Sequence, residues 1–457
     1  MKLEDIHSVY FVGIGGIGMS ALARWFKHNG KAVSGYDKTE TVLTKKLQGE
    51  GIQVHFEDNL DLISSEVKES TQGVLVVFTP AIPKEHKELN WLKDQGYEVM
   101  KRSQVLGVIA ESMTTVAVAG THGKTTTSSM VVHLLKSAGI DCTGFLGGIA
   151  TNYETNMIMN DSENSIAVIE ADEFDRSFMT LFPDYAIVTA ADPDHLDIYG
   201  DKEALKNTFR DFIDQVKTNG QLIIKEELAE DLIRKNDLTK ITYGLTAQGV
   251  SIENLKIEDG AFIFDYVSQS NKIEGLKLFV PGYHNVENML AAITVAIMLG
   301  ASNDSIQKAV TSYKGVKRRF EWIINSPELK FIDDYAHHPV EIEAFLKSVR
   351  DLFPGKKITA IFQPHLYTRT RDFAEGFSSS LSLADEVILL DIYPARELPI
   401  EGVSSQMILN QISIENKFIS SKEELINKIK QVKPEVLLTI GAGDIDKLVS
   451  PIKEAML

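Results

Sequence analysis

A chain of 457 residues with 44% hydrophobic and 24% charged residues has the material for roughly two to four globular domains, three being the natural division. Its net charge of −17 excludes a surface built to hold nucleic acid or an anionic membrane, so any bound phosphate must rest on local amides and a few placed cations. No run reaches the roughly 18 apolar residues of a membrane helix, the start MKLEDIHSVYFVGIGGIG lacks the basic lead of a signal peptide, and the single cysteine, Cys142, permits no internal disulfide. A cytoplasmic chain, monomer or homodimer, is the expectation.

Three nucleotide-type segments follow one another. In the first, Val9–Val12 reads as a buried strand, Gly13–Gly18 as a turn, and Met19–Asn29 as a helix with apolar Leu22, Ala23, Trp25 and Phe26. Lys31–Gly35 is a second strand leading to Asp37, and Val74–Phe78 is a later one closed by Thr79 and Pro80. Strands and helices that alternate at this length predict a parallel sheet with right-handed crossovers. The second segment begins near Val105, with strand Thr115–Ala119, a loop at Gly120–Lys124 and a helix over Thr125–Ala138. Ile166–Ile169 and Tyr185–Val188 are further buried strands, Ile241–Leu278 reads as a small antiparallel element, and a long helix covers Asn285–Leu299. The third segment begins near Val316, with strands at Lys330–Ile332, Ile358–Phe362, Glu386–Leu390 and Val436–Ile440. The expected organisation is α/β in three domains, at 1–104, 105–315 and 316–457.

Gly13-x-Gly15-x-x-Gly18, between a strand and a helix, has the form of a dinucleotide fingerprint, and Asp37 stands at the end of the next strand where a ribose-binding carboxylate is expected. An NAD-linked oxidoreductase satisfies this motif. So does any other nucleotide diphosphate, because the pyrophosphate of a UDP-sugar is the same kind of anion at the same helix N-terminus.

Gly120-Thr121-His122-Gly123-Lys124-Thr125-Thr126 also joins a strand to a helix. It misses the strict GxxxxGK[ST] pattern, since Val118 stands five positions before Gly123, but it keeps the working parts. Amides can wrap a phosphate, the Lys124 ammonium can reach the terminal phosphates, and the Thr125 hydroxyl can ligate magnesium. The alternative is a helix cap with a chance lysine. On sequence grounds such a loop lysine has no packing role.

The string GTHGKTTT resembles the ATP loop of the Mur ligases and of the related folylpolyglutamate synthetases, and GIGGIGMS followed by VSGYD resembles the alanine-adding branch of the Mur family. The likeness continues through Glu170-Ala171-Asp172-Glu173, Asp194-His195-Leu196-Asp197, His284-Asn285-x-x-Asn288-x-x-Ala291-Ala292, Arg318-Arg319-Phe320-Glu321, Asp333-Asp334-Tyr335-Ala336-His337-His338-Pro339 and Gln363-Pro364-His365-Leu366-Tyr367-Thr368-Arg369. So many matches in family order outweigh the NAD reading of the first loop.

The resemblance implies an N-terminal Rossmann-like domain for the UDP-sugar, a central ATPase-like α/β domain with the small antiparallel element, and a C-terminal Rossmann-like domain. It implies ATP-dependent amide formation between the carboxylate of UDP-N-acetylmuramate and L-alanine through an acyl phosphate, in peptidoglycan synthesis, with Mg²⁺ as cofactor. A tripeptide-recycling ligase of the same family is the nearest alternative. Residues Gly120, Thr121, His122, Gly123, Lys124, Thr125 and Thr126, with Asn285, Asn288, Arg319 and Asp334, then serve ATP, and Lys124, Glu170, His195, Arg319 and Asp334 form the catalytic set. Gly15, Gly16, Ile17, Gly18, Asp37, Thr79 and His122 face the UDP-sugar, Thr125, Glu170 and His195 hold metal, and Tyr335, His337, His365 and Arg369, with His338, line the amino-acid pocket. Against each stands a plainer reading: Glu170 as one acid of the run Glu170–Asp175, Asn285 as a helix cap, Arg319 and Asp334 as surface charges. Many alanine-adding relatives carry arginine where Leu366 stands, and Thr208–Arg210 offers no lysine to match the carbamylated lysine of other Mur ligases.

Overall fold

The computed structural model describes residues 3–162, 165–192, 199, 201–235, 237–258, 260–395 and 397–457, with the backbone alone at 174 and 175. These form two compact units. The first runs to Glu253 and includes Asp265–Gly275 and Glu287–Tyr313; the second comprises Asn254–Phe264, Leu276–Val286 and Lys314–Leu457.

The first unit opens with a five-stranded sheet in the order Gln53–His55, Ala32–Tyr36, Ser8–Val12, Val74–Phe78, Glu98–Lys101. Every pairing in it is parallel. The central strand, Ser8–Val12, is buried along its whole length, as a strand covered on both faces must be. Chain order reverses between it and Val74–Phe78, and the glycine turn leaves the sheet at that switch point, where open α/β sheets place their ligands.

A second sheet has ten strands in the order Thr155–Ile158, Cys142–Ala150, Ile166–Ala171, Thr115–Ala119, Tyr185–Val188, Gln221–Lys225, Thr239–Tyr243, Val250–Glu258, Ala261–Ser268, Lys272–Leu278. The division between units falls inside the last three of these strands and inside the helix Tyr283–Met298. The segment expected as a small antiparallel element, Ile241–Leu278, is continuous with this sheet, and its strands from Val250 to Leu278 lie side by side in chain order. Its first strand, Thr239–Tyr243, pairs parallel with Gln221–Lys225 and touches Val250 in parallel register through Tyr243. The cause is the helix Glu226–Leu232, which makes the connection from Gln221–Lys225 a crossover and returns the chain in the same direction.

The second unit carries a six-stranded sheet in the order Glu321–Asn325, Lys330–Asp334, Val436–Ile440, Ile358–Phe362, Glu386–Leu389, Lys417–Ile419. Only its first pair is antiparallel. Both faces are filled, by Phe345, Leu346, Phe377 and Leu381 on one side and by Leu425, Ile429, Ile445 and Ile452 on the other.

Candidate active site

The phosphate-type loop leaves the buried strand Thr115–Ala119 and enters the helix Lys124–Ser137 through Gly123, which adopts the left-handed conformation at φ +81°. Gly120 has φ +144°, and a methyl group there would lie 2.1 Å from Thr189 Oγ1. Both glycines are demanded by the backbone and by its neighbours. The loop is strapped to the end of the next strand: Thr121 donates its amide to the Ala190 carbonyl at 3.1 Å and accepts the Asp192 amide on its hydroxyl at 3.1 Å. Asn288, on the helix Tyr283–Met298, abuts this loop, 2.9 Å from where a Gly123 side chain would begin.

Parallel register sets Glu170 opposite Val118, two residues before the loop. Thr125 Oγ1 donates to Glu170 Oε1 at 2.9 Å, and the Gly147 amide donates to Glu170 Oε2 at 2.8 Å. The structure thus brings together the hydroxyl and carboxylate named as metal ligands. Burial raises the Glu170 carboxyl, against the pull of the Lys124 ammonium, the Thr125 hydroxyl and the Gly147 amide. A hydroxyl and a carboxylate at a helix N-terminus are hard oxygen donors of the kind magnesium takes, so the residues present fit that ion. His195 and the rest of Asp194–Asp197 lie outside the described residues.

Lys124, expected on sequence grounds to have no packing role, is held by its neighbours. Its ammonium donates to both carboxylate oxygens of Glu173, at 2.9 and 2.7 Å, and to the Gly120 carbonyl at 2.7 Å. Glu173 is fully buried, so the pair is part of the packing. Sequence reading had no signal for this partner beyond its place in an acidic run. Gly147 was missed too, although a Cβ there would stand 2.4 Å from Glu170 Oε1; the run Gly144-Phe145-Leu146-Gly147-Gly148 was the available hint.

At the N-terminal loop, Gly13 sits at φ +92°, and the amides of Gly13 and Ile14 donate to the Tyr36 carbonyl at 2.8 and 2.9 Å. Thr79 packs its methyl where a Gly13 side chain would go. Asp37 turns inward: its carboxylate accepts the Gly15 amide at 2.7 Å and the Thr39 amide at 3.0 Å. One amide of the turn is therefore occupied by an acid. Gly16 precedes the helix that begins at Ile17. Arg102, unremarked in sequence, lies over Gly18, its Nη1 2.9 Å from where a methyl would stand, and adds a cation beside the turn.

In the second unit the two adjacent arginines divide their work. Arg318 is engaged internally, with Asp333 Oδ2 at 3.1 Å and the Gly441 carbonyl at 2.5 Å. Arg319 projects its guanidinium 5.0 Å from the centre of the Tyr335 ring and 4.0 Å from Glu341, and stays one-third exposed. Arg318 and Phe320, on either side, hold left-handed backbone angles of +60° and +49°. Asp334 accepts the Phe320 amide at 2.7 Å and the Ala336 amide at 2.8 Å, and burial lifts its carboxyl to about 6.

His337 lies edge-on to Tyr335 at 5.2 Å and to His365 at 6.3 Å, and His365 stacks on Tyr393 at 5.9 Å. His337 Nδ1 faces the Tyr335 carbonyl at 3.0 Å, so that nitrogen carries the proton and Nε2 is left with its lone pair. Arg369, on the helix Tyr367–Asp372, acts on the His337 imidazole through its charge. Leu366 precedes that helix at φ +68°. His338 is buried and caps the helix Pro339–Leu352. Two plainer readings are corrected here. Asn285 is no cap, because its helix begins at Tyr283; its side chain donates back to the Pro281 carbonyl at 2.7 Å. Asp334 is no surface charge.

A nucleotide-type glycine turn, a phosphate-type loop beside a threonine–glutamate pair, and a further α/β sheet with a projecting arginine are features of a nucleotide-using α/β enzyme. Residues 8–114 match the Mur ligase family catalytic domain, 118–296 the Mur ligase middle domain, and 318–443 the Mur ligase glutamate ligase domain. The chain belongs to the Mur ligase family. It is 49% identical to the UDP-N-acetylmuramate–L-alanine ligase of Flavobacterium psychrophilum over 100% of this chain and 99% of that one. It is 48% identical to the enzyme of the same name from Parabacteroides distasonis, over 100% and 98%. The crystal structure of the UDP-N-acetylmuramate–alanine ligase of Thermotoga maritima superposes with a TM-score of 0.82 at 30% identity, covering 98% of this chain and 99% of that one. A murein peptide ligase from Psychrobacter arcticus shares the fold at 22% identity, with a TM-score of 0.70 over 98% of both chains.

Proposed function

We propose that the loop at Gly120–Thr126, with Glu170, is the phosphoryl-transfer centre of this chain. The chain catalyses the ATP-dependent ligation of L-alanine to UDP-N-acetylmuramate in peptidoglycan synthesis. A carboxylate is a poor acylating agent at neutral pH, so the γ-phosphoryl of ATP is first moved onto the lactyl carboxylate. The amine of alanine then attacks the acyl phosphate and expels phosphate. Both steps gather negative charge, and stabilisation comes from fixed cations and oriented amides. The observation that carries this reading is the 2.9 Å contact between Thr125 and Glu170 beside Lys124.

Gly120, Thr121, His122, Gly123 and Thr126 cradle the phosphates of ATP, Lys124 meets the terminal ones, and Asn285 and Asn288 serve the adenine end. Thr125 and Glu170, with His195, are the residues to hold Mg²⁺, which when bound supplies positive charge to the transferring phosphoryl group. Arg319 meets phosphate charge and Asp334 the ribose. Gly15, Gly16, Ile17, Gly18, Thr79 and Asp37 hold the UDP-sugar, with His122 between the two nucleotides. Tyr335, His337, His365 and Arg369 receive alanine; the guanidinium of Arg369 suits its carboxylate, and the unprotonated Nε2 of His337 suits its ammonium.

An NAD-linked oxidoreductase would leave the Lys124 loop and its neighbour Glu170 without a role. We place the domain boundaries near 104 and 315. We expect a cytoplasmic monomer or homodimer; no helix among the described residues is long and apolar enough to cross a membrane. The test is ADP release with UDP-N-acetylmuramate, Mg²⁺ and each proteinogenic amino acid in turn. Release dependent on alanine is expected, and its absence would overturn the reading.

A further inference from the structure

An ammonium has three N–H donors. In this structure the three contacts of Lys124 are Glu173 Oε1, Glu173 Oε2 and the Gly120 carbonyl, all within 2.9 Å. They satisfy the whole donor capacity of the side chain, so none is left for a phosphate oxygen. Glu173 is fixed in turn. It is fully buried, and the phenol of Tyr199, itself buried, donates to its backbone carbonyl. Glu173 is a different acid from Glu170, whose oxygens go to Thr125 and Gly147. Two carboxylates three residues apart thus divide the loop between them: one takes the threonine, the other the lysine.

We propose that Glu173 is the resting partner of Lys124 and competes with nucleotide phosphate for it, so that this residue sets the affinity of the site for ATP. The proposal rests on the phosphate-loop reading above. Glu173 is a positioning residue, acting on the nucleotide through Lys124. Nucleotide arrival then exchanges one charge-assisted contact for another. The wild-type affinity for ATP is the difference between the two, which keeps binding moderate.

The experiment is calorimetric titration of the full chain with Mg²⁺ and a non-hydrolysable ATP analogue. The variants are wild type, Glu173→Gln, Glu173→Asp, Lys124→Met and the double variant Lys124→Met/Glu173→Gln. Loss of a charged hydrogen-bond partner predicts that Glu173→Gln tightens binding about tenfold, with Glu173→Asp in between. In steady state the KM for ATP falls in the same proportion while kcat does not rise. In the Lys124→Met background the Glu173→Gln change moves the affinity by less than about twofold, because the effect passes through the lysine. Unchanged or weaker binding in both Glu173 variants overturns the proposal. So does an equal tightening with and without Lys124, which would make Glu173 a general repulsive charge. Failure of the underlying loop reading looks different: Lys124→Met then binds the analogue as wild type does.

Discussion

Thr125 and Glu170, 45 residues apart in sequence, meet hydroxyl to carboxylate at 2.9 Å, and the Gly147 amide holds the other oxygen of that carboxylate at 2.8 Å. The arrangement depends on there being no side chain at 147, since a methyl would stand 2.4 Å from Oε1. Gly147→Ala is therefore expected to push Glu170 out of line and lower kcat/KM for ATP by about 100-fold, the usual effect of misplacing a reacting group by an ångström. Gly147 lies outside the left-handed region and its strand continues to Ala150, so melting should change little. Initial-rate kinetics beside a thermal melt check this, and full activity would contradict it.

Lys124→Met should abolish turnover and also lower stability. It leaves Glu173 buried without its partner, a loss on the order of 3 kcal/mol. Combining it with Glu173→Gln removes the stranded charge and should recover most of the melting temperature with no return of activity. Denaturant unfolding of both variants decides it. A double variant no more stable than the single one would mean the pair does not contribute as the packing suggests.

His337 gives a signed pH dependence. Desolvation is the main cause that lowers its imidazole to about 4 from 6.5; the Arg369 and Arg319 charges add to it, and Glu341 and the Tyr335 carbonyl oppose it. The unfolded chain takes up this proton below about 6.5 and the folded chain only near 4. Stability from this site is complete above pH 6.5 and declines as pH falls through that window, by about 3 kcal/mol. His337→Gln should flatten the acid limb of the unfolding curve. Imidazole NMR should show a neutral ring, protonated at Nδ1, at pH 6; a ring titrating near 6.5 would refute this.

The N-terminal sheet holds a second titrating group, outside the proposed active site. The Tyr10 hydroxyl lies 2.6 Å from Glu88 Oε2 and 2.8 Å from His55 Nε2, while His55 Nδ1 faces the Glu57 carbonyl at 2.9 Å. A carbonyl only accepts, so Nδ1 carries a proton, and one further proton must sit on His55 Nε2 or on Glu88 for both Tyr10 contacts to be hydrogen bonds. Burial lowers His55 and lifts Glu88 to about 7, which places that proton on the carboxyl. Tyr10 and the Asn59 amide pull Glu88 down, Asp58 pushes it up, and Lys68 pulls it down more weakly. Because the folded pKa lies above the usual 4.5, the folded chain holds the proton longer, and stability falls as pH rises from about 4.5 to about 7, by about 3 kcal/mol. Glu88→Gln, whose amide can donate as the acid does, should fold normally and lose this slope. A variant with the same slope would point to another group.

What could be read from the sequence was local. Strand, glycine turn and helix punctuate one another within a few residues, so Ser8–Val12, Thr115–Ala119 and their loops were visible, and hydrophobic runs marked strands such as Ile358–Phe362 and Val436–Ile440. Ordered motifs carried the family. Hidden was whatever depends on distant parts of the chain meeting: Glu173 taking Lys124, Gly147 making room for Glu170, and Arg102 lying over Gly18. In Arg318-Arg319 the two side chains are chemically identical, and only the fold gives one to Asp333 and leaves the other projecting.

The left-handed backbone at Arg318 and Phe320 sets a limit on improving this protein. Non-glycine residues in that region cost of order 1 kcal/mol each, so glycine at 318 or 320 is an obvious stabilising exchange. It would also loosen the one stretch of chain that aims Arg319 and carries the amide received by Asp334. Selection for thermal robustness and selection for catalysis therefore pull against each other at these two positions.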